Sequence, residues 1–143
     1  MVRGPTVAPG SSDGDGWLHT GDLGRVEGGV LRVTGRSSET IITGGENVAP
    51  EEVEQALVAH PGVAEAAVFA RADARWGEAV TAVVVAREGA ALDSAELRAH
   101  CATRLAPYKV PKEVWLVAGP LPRTSSGKLL RRALGGAAEV GAP

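Results

Sequence analysis

The sequence predicts an α+β fold: a small mixed sheet of about three strands flanked by helices, with short β-hairpins at its N-terminal side. Three observations carry this. Apolar β-type runs at 63–72, 79–86 and 114–117 are interleaved with segments of helical periodicity. Two of those helical segments carry start signals, at Pro50 and at Asp93. Ahead of them, Gly28-Gly29 splits the run 24–33 into two short β-type halves, as a hairpin requires.

Taken in order, residues 1–16 are rich in Gly, Ser, Pro and Asp and read as loop. The hairpin over 24–33 follows, and 40–43 is a short strand closed by Gly44-Gly45. Pro50 suits a first helical position, where its missing N–H costs nothing. Glu51, Glu52 and Glu54 place negative charge at the positive end of the helix dipole. Val53, Ala56, Leu57 and His60 then share a face, and Pro61-Gly62 stops the helix. The run 79–86 is nearly all Val and Ala, the composition of a central strand covered on both faces. A second helix is predicted over 94–105, with Asp93 and Glu96 spaced as a capping box and Leu97, Cys101 and Leu105 as its inner stripe. Pro107 ends it. A short helix is expected over 128–134, presenting Leu129, Leu130, Ala133 and Leu134 for packing.

Composition narrows the function. A chain of 143 residues predicts one compact domain, or one domain plus a fragment. A formal net charge of -2 argues against nucleic acid as a partner, which needs a basic field. The longest apolar runs are too short to span a bilayer, so no membrane partner is expected. One cysteine and no secretory signal at the N-terminus point to the cytoplasm. His and Cys form no metal-type cluster. Only three of fifteen basic residues are lysines, Lys109, Lys112 and Lys128, so each invites a reason.

Four segments carry chemistry: 16–24, containing Thr20-Gly21-Asp22; 35–54, containing Gly35-Arg36, Ser37-Ser38-Glu39 and Gly44-Gly45-Glu46-Asn47; 105–111, containing Pro107-Tyr108-Lys109; and 122–128, ending Ser126-Gly127-Lys128. The last is not a phosphate-binding P-loop. Pro122 stands where that motif needs glycine, and Leu129 stands where it needs Ser or Thr. An aspartate can accept from both hydroxyls of a ribose, although Thr20-Gly21-Asp22 also suits a plain turn. Arg36 has a donor fork suited to ribose and phosphate oxygens. Gly44-Gly45 permits close approach of another group, or a simple hairpin turn. Trp76 and Tyr108 offer faces on which an adenine could stack, or are core and rim residues.

In this order and spacing the four segments resemble the adenylate-forming (AMP-binding) superfamily, specifically its acyl- and aryl-CoA ligase branch. The resemblance runs from about residue 2 to 134. It implies the fold of that superfamily's C-terminal domain. It implies nucleotide contacts from Asp22, Arg36 and Thr20, a CoA path along Gly44 and Gly45 with Trp76 and Tyr108 near the CoA adenine, and a hinge at Ser38. There the family usually has Asp or Lys. It implies that Lys128 is catalytic, its ammonium meeting the substrate carboxylate and the α-phosphate of ATP. The substrates implied are ATP, giving AMP, then CoA and a carboxylic acid. Mg2+ would come with ATP, held mainly by a large N-terminal domain.

That large adenylation domain, on the same or a separate chain, is the expected partner, because the family's ATP-phosphate loop and acyl pocket have no counterpart in these residues. The expected organisation is an edge of the large domain over 1–37, a mobile lid over 38–134 and a flexible tail over 135–143. The expected function is the C-terminal part of an ATP-dependent carboxylate–CoA ligase, inactive by itself and able to self-associate through a face the large domain normally covers. Two alternatives stand beside it: a non-catalytic module binding CoA, nucleotide or a partner protein, and a piece of a peptide-synthetase adenylation domain.

Overall fold

The computed structural model describes residues 1–135 and divides into two compact units, Met1–Thr40 and a second beginning at Ile41. The expected tail therefore lies, beyond Gly135, outside the described residues.

In the first unit, β1 (Asp22–Glu27) and β2 (Val30–Arg36) form an antiparallel hairpin. Gly28 and Gly29 turn it at φ 57° and 79°, conformations that side-chain-bearing residues avoid. A bulge at Leu23/Gly24 brings the strands so close that a Cβ on Gly24 would lie 2.8 Å from the Arg32 carbonyl oxygen. The hairpin reaches beyond the expected 24–33, and its open end pairs Asp22 with Arg36. Val26, Leu31 and Val33 are exposed, as expected of a ribbon too thin to bury either face. One turn of 3-10 helix, Ser37–Glu39, follows.

The second unit is built on a five-stranded mixed sheet: β3 (Ile41–Thr43), β4 (Glu46–Val48), β5 (Val63–Asp73), β6 (Gly77–Ala86) and β7 (Glu113–Val117). β6 is its centre. It pairs antiparallel with β5 along its whole length, parallel with β7 from Thr81 to Val85, and with β3 at the single pair Thr43–Gly77. The three expected strands form the body of the sheet, and the β3–β4 hairpin extends it. Residues 79–84 of β6 are all buried, which is why alternation fails there and the strand reads as continuous Val and Ala.

Each face of β6 has its own cover. Val80, Ala82 and Val84 pack with Val53 and Leu57 of α1 (Pro50–Val58) and Leu97 and Cys101 of α2 (Ser94–Ala102). Val83 points the other way, with Ala67, into a cluster formed with Leu121 and Leu134. Helices thus cover one face, and a strap over residues 121–134 crosses the other.

Two expectations are corrected. The helix expected over 128–134 does not start at Lys128: Arg131–Ala133 forms a 3-10 turn, and α-helical backbone begins only at Leu134. The backbone groups that would start it are already used: Thr124 N–H donates to the Lys128 carbonyl, Leu130 N–H to Pro122, and Leu129 bridges Arg123. The second helix stops at Ala102 rather than near 105. Thr103 Oγ1 donates to the His100 carbonyl at 2.8 Å, and Pro107 forces Ala106 into extended backbone. Asp93 does cap α2, accepting from Ala95 N–H, but Glu96 pairs with His60 instead of closing the capping box.

Candidate functional site

The lysine lies at the apex of the strap. Thr124 organises that turn with three contacts. Its carbonyl accepts from Gly127 N–H at 2.8 Å, its N–H donates to the Lys128 carbonyl at 2.8 Å, and its Oγ1 accepts from Lys128 N–H at 3.1 Å. Gly127 takes φ +82°, which explains the glycine. The result is a tight loop presenting an exposed Lys128. Arg123 braces it, donating to the Gly127 carbonyl at 3.1 Å and to Glu65 at 2.9 Å.

Gly44 and Gly45 lie at the other end of the sheet. They turn β3 into β4 at φ 59° and 86°. Gly44 N–H donates to the Trp76 carbonyl at 2.8 Å, and a Cβ on Gly44 would stand 3.0 Å from the Trp76 ring. The pair makes the hairpin turn; at Gly44 the backbone comes close to Trp76, whereas a Cβ on Gly45 would meet nothing within 4 Å. The indole is half-buried and flanked by cations, the Arg75 guanidinium 4.7 Å and Lys112 Nζ 4.9 Å from the ring centre. Asp73 sets the indole's backbone by accepting from the N–H groups of Trp76 and Arg75. Those same bonds, Trp76 first, hold its carboxyl below the usual range.

Tyr108 is exposed on a 3-10 turn, Pro107–Lys109. The next residue, Lys109, anchors that turn to the first turn of α1 through both oxygens of Glu52 at 2.7 Å. Of the residues around the indole, Lys112 stands out in sequence only through the scarcity of lysine, and no sequence signal marks Arg75 or Asp73.

Along β6, Val85 pairs with Glu65 at the strap end and Gly77 pairs with Thr43 at the glycine end. These positions are eight residues apart, about 27 Å at ~3.4 Å per residue. The structure therefore does not gather Lys128, Gly44 and Trp76 into one pocket. It places the lysine turn at one end and the Gly44–Trp76 corner at the other.

Within the first unit, Thr20, Asp22 and Arg36 do come together. Arg36 Nε lies 3.1 Å from Asp22 Oδ1, and Asp22 N–H donates to Thr20 Oγ1 at 3.2 Å. The Asp22 side chain stays partly exposed, leaving acceptor capacity on its second oxygen. Ser38 sits in the 3-10 turn that follows, just before the division between the units. Among the described residues, no group of three or more His, Cys, Asp or Glu side chains could hold a metal ion. No helix among them is long and apolar enough to cross a membrane.

The second unit is thus a small α+β domain with a lysine turn and a glycine–tryptophan corner at opposite ends of one sheet. Comparison then gives the family. Residues 52–128 match the family described as AMP-binding enzyme C-terminal domain, and the chain belongs to it. A sulfoacetate–CoA ligase of Cupriavidus necator is 48% identical over 130 residues, which is 90% of this chain and 25% of that protein. The o-succinylbenzoate CoA synthetase of Bacillus subtilis, solved with its acyl-adenylate intermediate, superposes with a TM-score of 0.78 at 45% identity over 84% of this chain and 24% of that one. MatB of Rhodopseudomonas palustris, solved with ATP, gives 0.80 at 40% identity over 91% of this chain and 25% of that one. The chain spans about a quarter of the length of these relatives.

Proposed function

We propose that this domain serves an ATP-dependent carboxylate–CoA ligase, which first joins a carboxylic acid to AMP and then passes the acyl group to CoA, in the cytoplasm. The observation that carries the proposal is the two-ended sheet. A reaction in two halves has use for a lid with two working ends.

In the first half, Lys128 brings its ammonium to the carboxylate and the α-phosphate, offsetting repulsion between two anions as they join. Fixed charge of this kind is worth about 3 kcal/mol, roughly two powers of ten in rate. Asp22, with Thr20 and Arg36 beside it, fits the ribose hydroxyls, because Arg36 occupies one carboxylate oxygen and leaves the other. Mg2+ would accompany ATP on the large N-terminal domain, which supplies the acyl pocket on the same or a separate chain. In the second half, Gly44 and Gly45 border the path of the CoA arm. Trp76 offers a face to the adenine, with Tyr108 near it, and Arg75 and Lys112 supply positive charge beside that face. Ser38, in a single turn just before the second unit begins, is the pivot.

The test is to measure both half-reactions in the ligase assembled with its large domain, in one chain or two. Lys128→Ala should lower adenylate formation about a hundredfold and spare thioester formation from supplied adenylate; Trp76→Ala should do the reverse. Equal loss in both halves for either variant would defeat the two-ended reading. The 143 residues alone should support no ATP–pyrophosphate exchange.

A further inference from the structure

We infer that Arg131 and Glu54 are positioning residues for Lys128: a clip that fixes where the chain leaves the lysine turn. The inference rests on the proposed role of Lys128 and adds a pairing that sequence reasoning did not reach.

The geometry is a closed ring of hydrogen bonds joining three elements. β5 is an edge strand at Val68, so its outward N–H and C=O have no strand partner. Glu54, from α1, takes the N–H: Val68 N donates to Glu54 Oε1 at 2.8 Å. Arg131, from the strap, serves the carbonyl: its Nε donates to Val68 O at 3.2 Å. Arg131 Nη2 then donates to both Glu54 oxygens, at 2.9 and 3.1 Å, with Glu51 Oε1 at 3.7 Å. The two side chains are only 18% and 17% exposed. Burial pushes the Glu54 carboxyl up, while the Val68 N–H and Arg131 pull the other way. A half-buried carboxylate depends on these partners for the hydrogen bonds that water would otherwise supply.

Arg131 is three residues beyond Lys128. Between them Leu129 packs into the strap-side cluster and Leu130 N–H is bonded to Pro122. The stretch from lysine to guanidinium therefore has little slack. On the entry side the brace is Arg123 with Glu65, exposed by 47% and 39%, a pairing of the kind that solvent screens. The clip, less than half as exposed, is the stiffer of the two anchors. Arginine suits it because one planar fork serves a carbonyl and a carboxylate at once, which an ammonium cannot do in that geometry. Covering a bare strand edge would by itself explain the ring as edge protection. Its place three residues from the lysine is what gives it a further role, and the two are separable.

The experiment has two arms. In the full 143-residue chain, hydrogen exchange is followed in Arg131→Ala, Arg131→Lys and Glu54→Gln. The amides of Thr124, Gly127, Lys128 and Leu130 should exchange about tenfold faster or more, while those of β6 keep their wild-type rates, as local opening requires. In the ligase assembled with its large domain, Arg131→Ala and Glu54→Gln should lower kcat for adenylate formation by about tenfold to a hundredfold, the scale of a small misplacement of a reacting group. KM for ATP and acid, and thioester formation from supplied adenylate, should change little, and Arg131→Lys should recover part of the loss. If Arg131→Ala fails to fold, Glu54→Gln and Arg131→Lys decide. Parallel loss of both half-reactions, or faster exchange throughout β6, would reduce the clip to edge protection and overturn the inference. Lys128→Ala blocking adenylation while the clip variants do not would overturn it too. A silent Lys128→Ala would instead overturn the function proposed above.

Discussion

The corner at Gly44 permits a test in which two adjacent glycines serve as each other's control. Both take positive φ, 59° and 86°. A left-handed conformation costs a residue with a side chain about 1–2 kcal/mol. Restricting the unfolded chain returns about 0.4–1 kcal/mol of that on replacing Gly by Ala. Gly45→Ala, whose new Cβ meets nothing within 4 Å, should therefore destabilise by about 1 kcal/mol or slightly less. Gly44→Ala carries the same term and a second one. Its Cβ would stand 3.0 Å from Trp76 Cε3, and the indole cannot retreat freely because Asp73 holds its backbone and Gly44 N–H is bonded to its carbonyl. Overpacking of this kind adds about 1–2 kcal/mol, for a total of about 2–3 kcal/mol. Urea denaturation of the 143-residue chain reads both values. Thermal midpoints should separate by about 4–8 °C per kcal/mol. In the assembled ligase, Gly44→Ala should slow thioester formation and spare adenylation. Equal destabilisation by the two substitutions, or a milder effect at Gly44, would refute the claim that Gly44 is glycine because of Trp76.

Three further outcomes follow from the same structure. Cys101 is fully buried and its thiol is pushed up by that burial, so a thiol reagent should leave the native chain unlabelled and react only as urea unfolds it. His100 is held below the usual histidine range, first by partial burial and then by Arg104, with its Nε2 bonded to the Ala56 carbonyl at 3.0 Å. The unfolded chain takes up that proton first, so stability is full above about pH 6.5 and falls as pH drops below it; urea midpoints from pH 7.5 to 5.5 should show this slope, and His100→Gln should flatten it. Leu134 is fully buried at the end of the strap, so Leu134→Ala should cost about 3 kcal/mol in urea denaturation.

The parts of this fold that sequence made legible are those specified locally. Gly28-Gly29 announces its hairpin because the turn needs positive φ at both positions. Pro50 and its following glutamates announce α1, and the unbroken Val/Ala run of 79–86 announces the central strand. What was not legible depends on pairing across long separations. The β3–β4 hairpin joins the sheet through one pair, Thr43 with Gly77, and no local pattern encodes a single distant bridge. The spacing of Leu129, Leu130, Ala133 and Leu134 predicts a helix over 128–134, the last part of the strap. Leu129 packs into the strap-side cluster from a turn and Leu134 from just after a short 3-10 stretch, because Thr124, Pro122 and Arg123 take up the backbone groups before them. Lys128, Gly44 and Trp76 were legible through motif and resemblance. The cations around Trp76 and the Glu54–Arg131 clip were not, since the latter joins residues 77 apart in the chain.

The position of the chemistry explains why such a domain should be rigid in the middle and specific at its ends. Among the described residues the buried polar side chains are Thr43 and Thr81, so the core on either side of the sheet holds no charged group. The proposed unit-two residues stand on turns instead: Lys128 on the strap loop, Gly44 and Gly45 between β3 and β4, Trp76 just before β6, and Tyr108 on its 3-10 turn. A close-packed core transmits position without deforming, so fixing one end relative to a pocket also fixes the other about 27 Å away by the strand spacing. Under the proposed function, the lysine and the glycine corner therefore cannot reach one reacting carbonyl together. Whichever end is presented excludes the other, and adenylation and thioester formation become separate in time because they are separate along a strand.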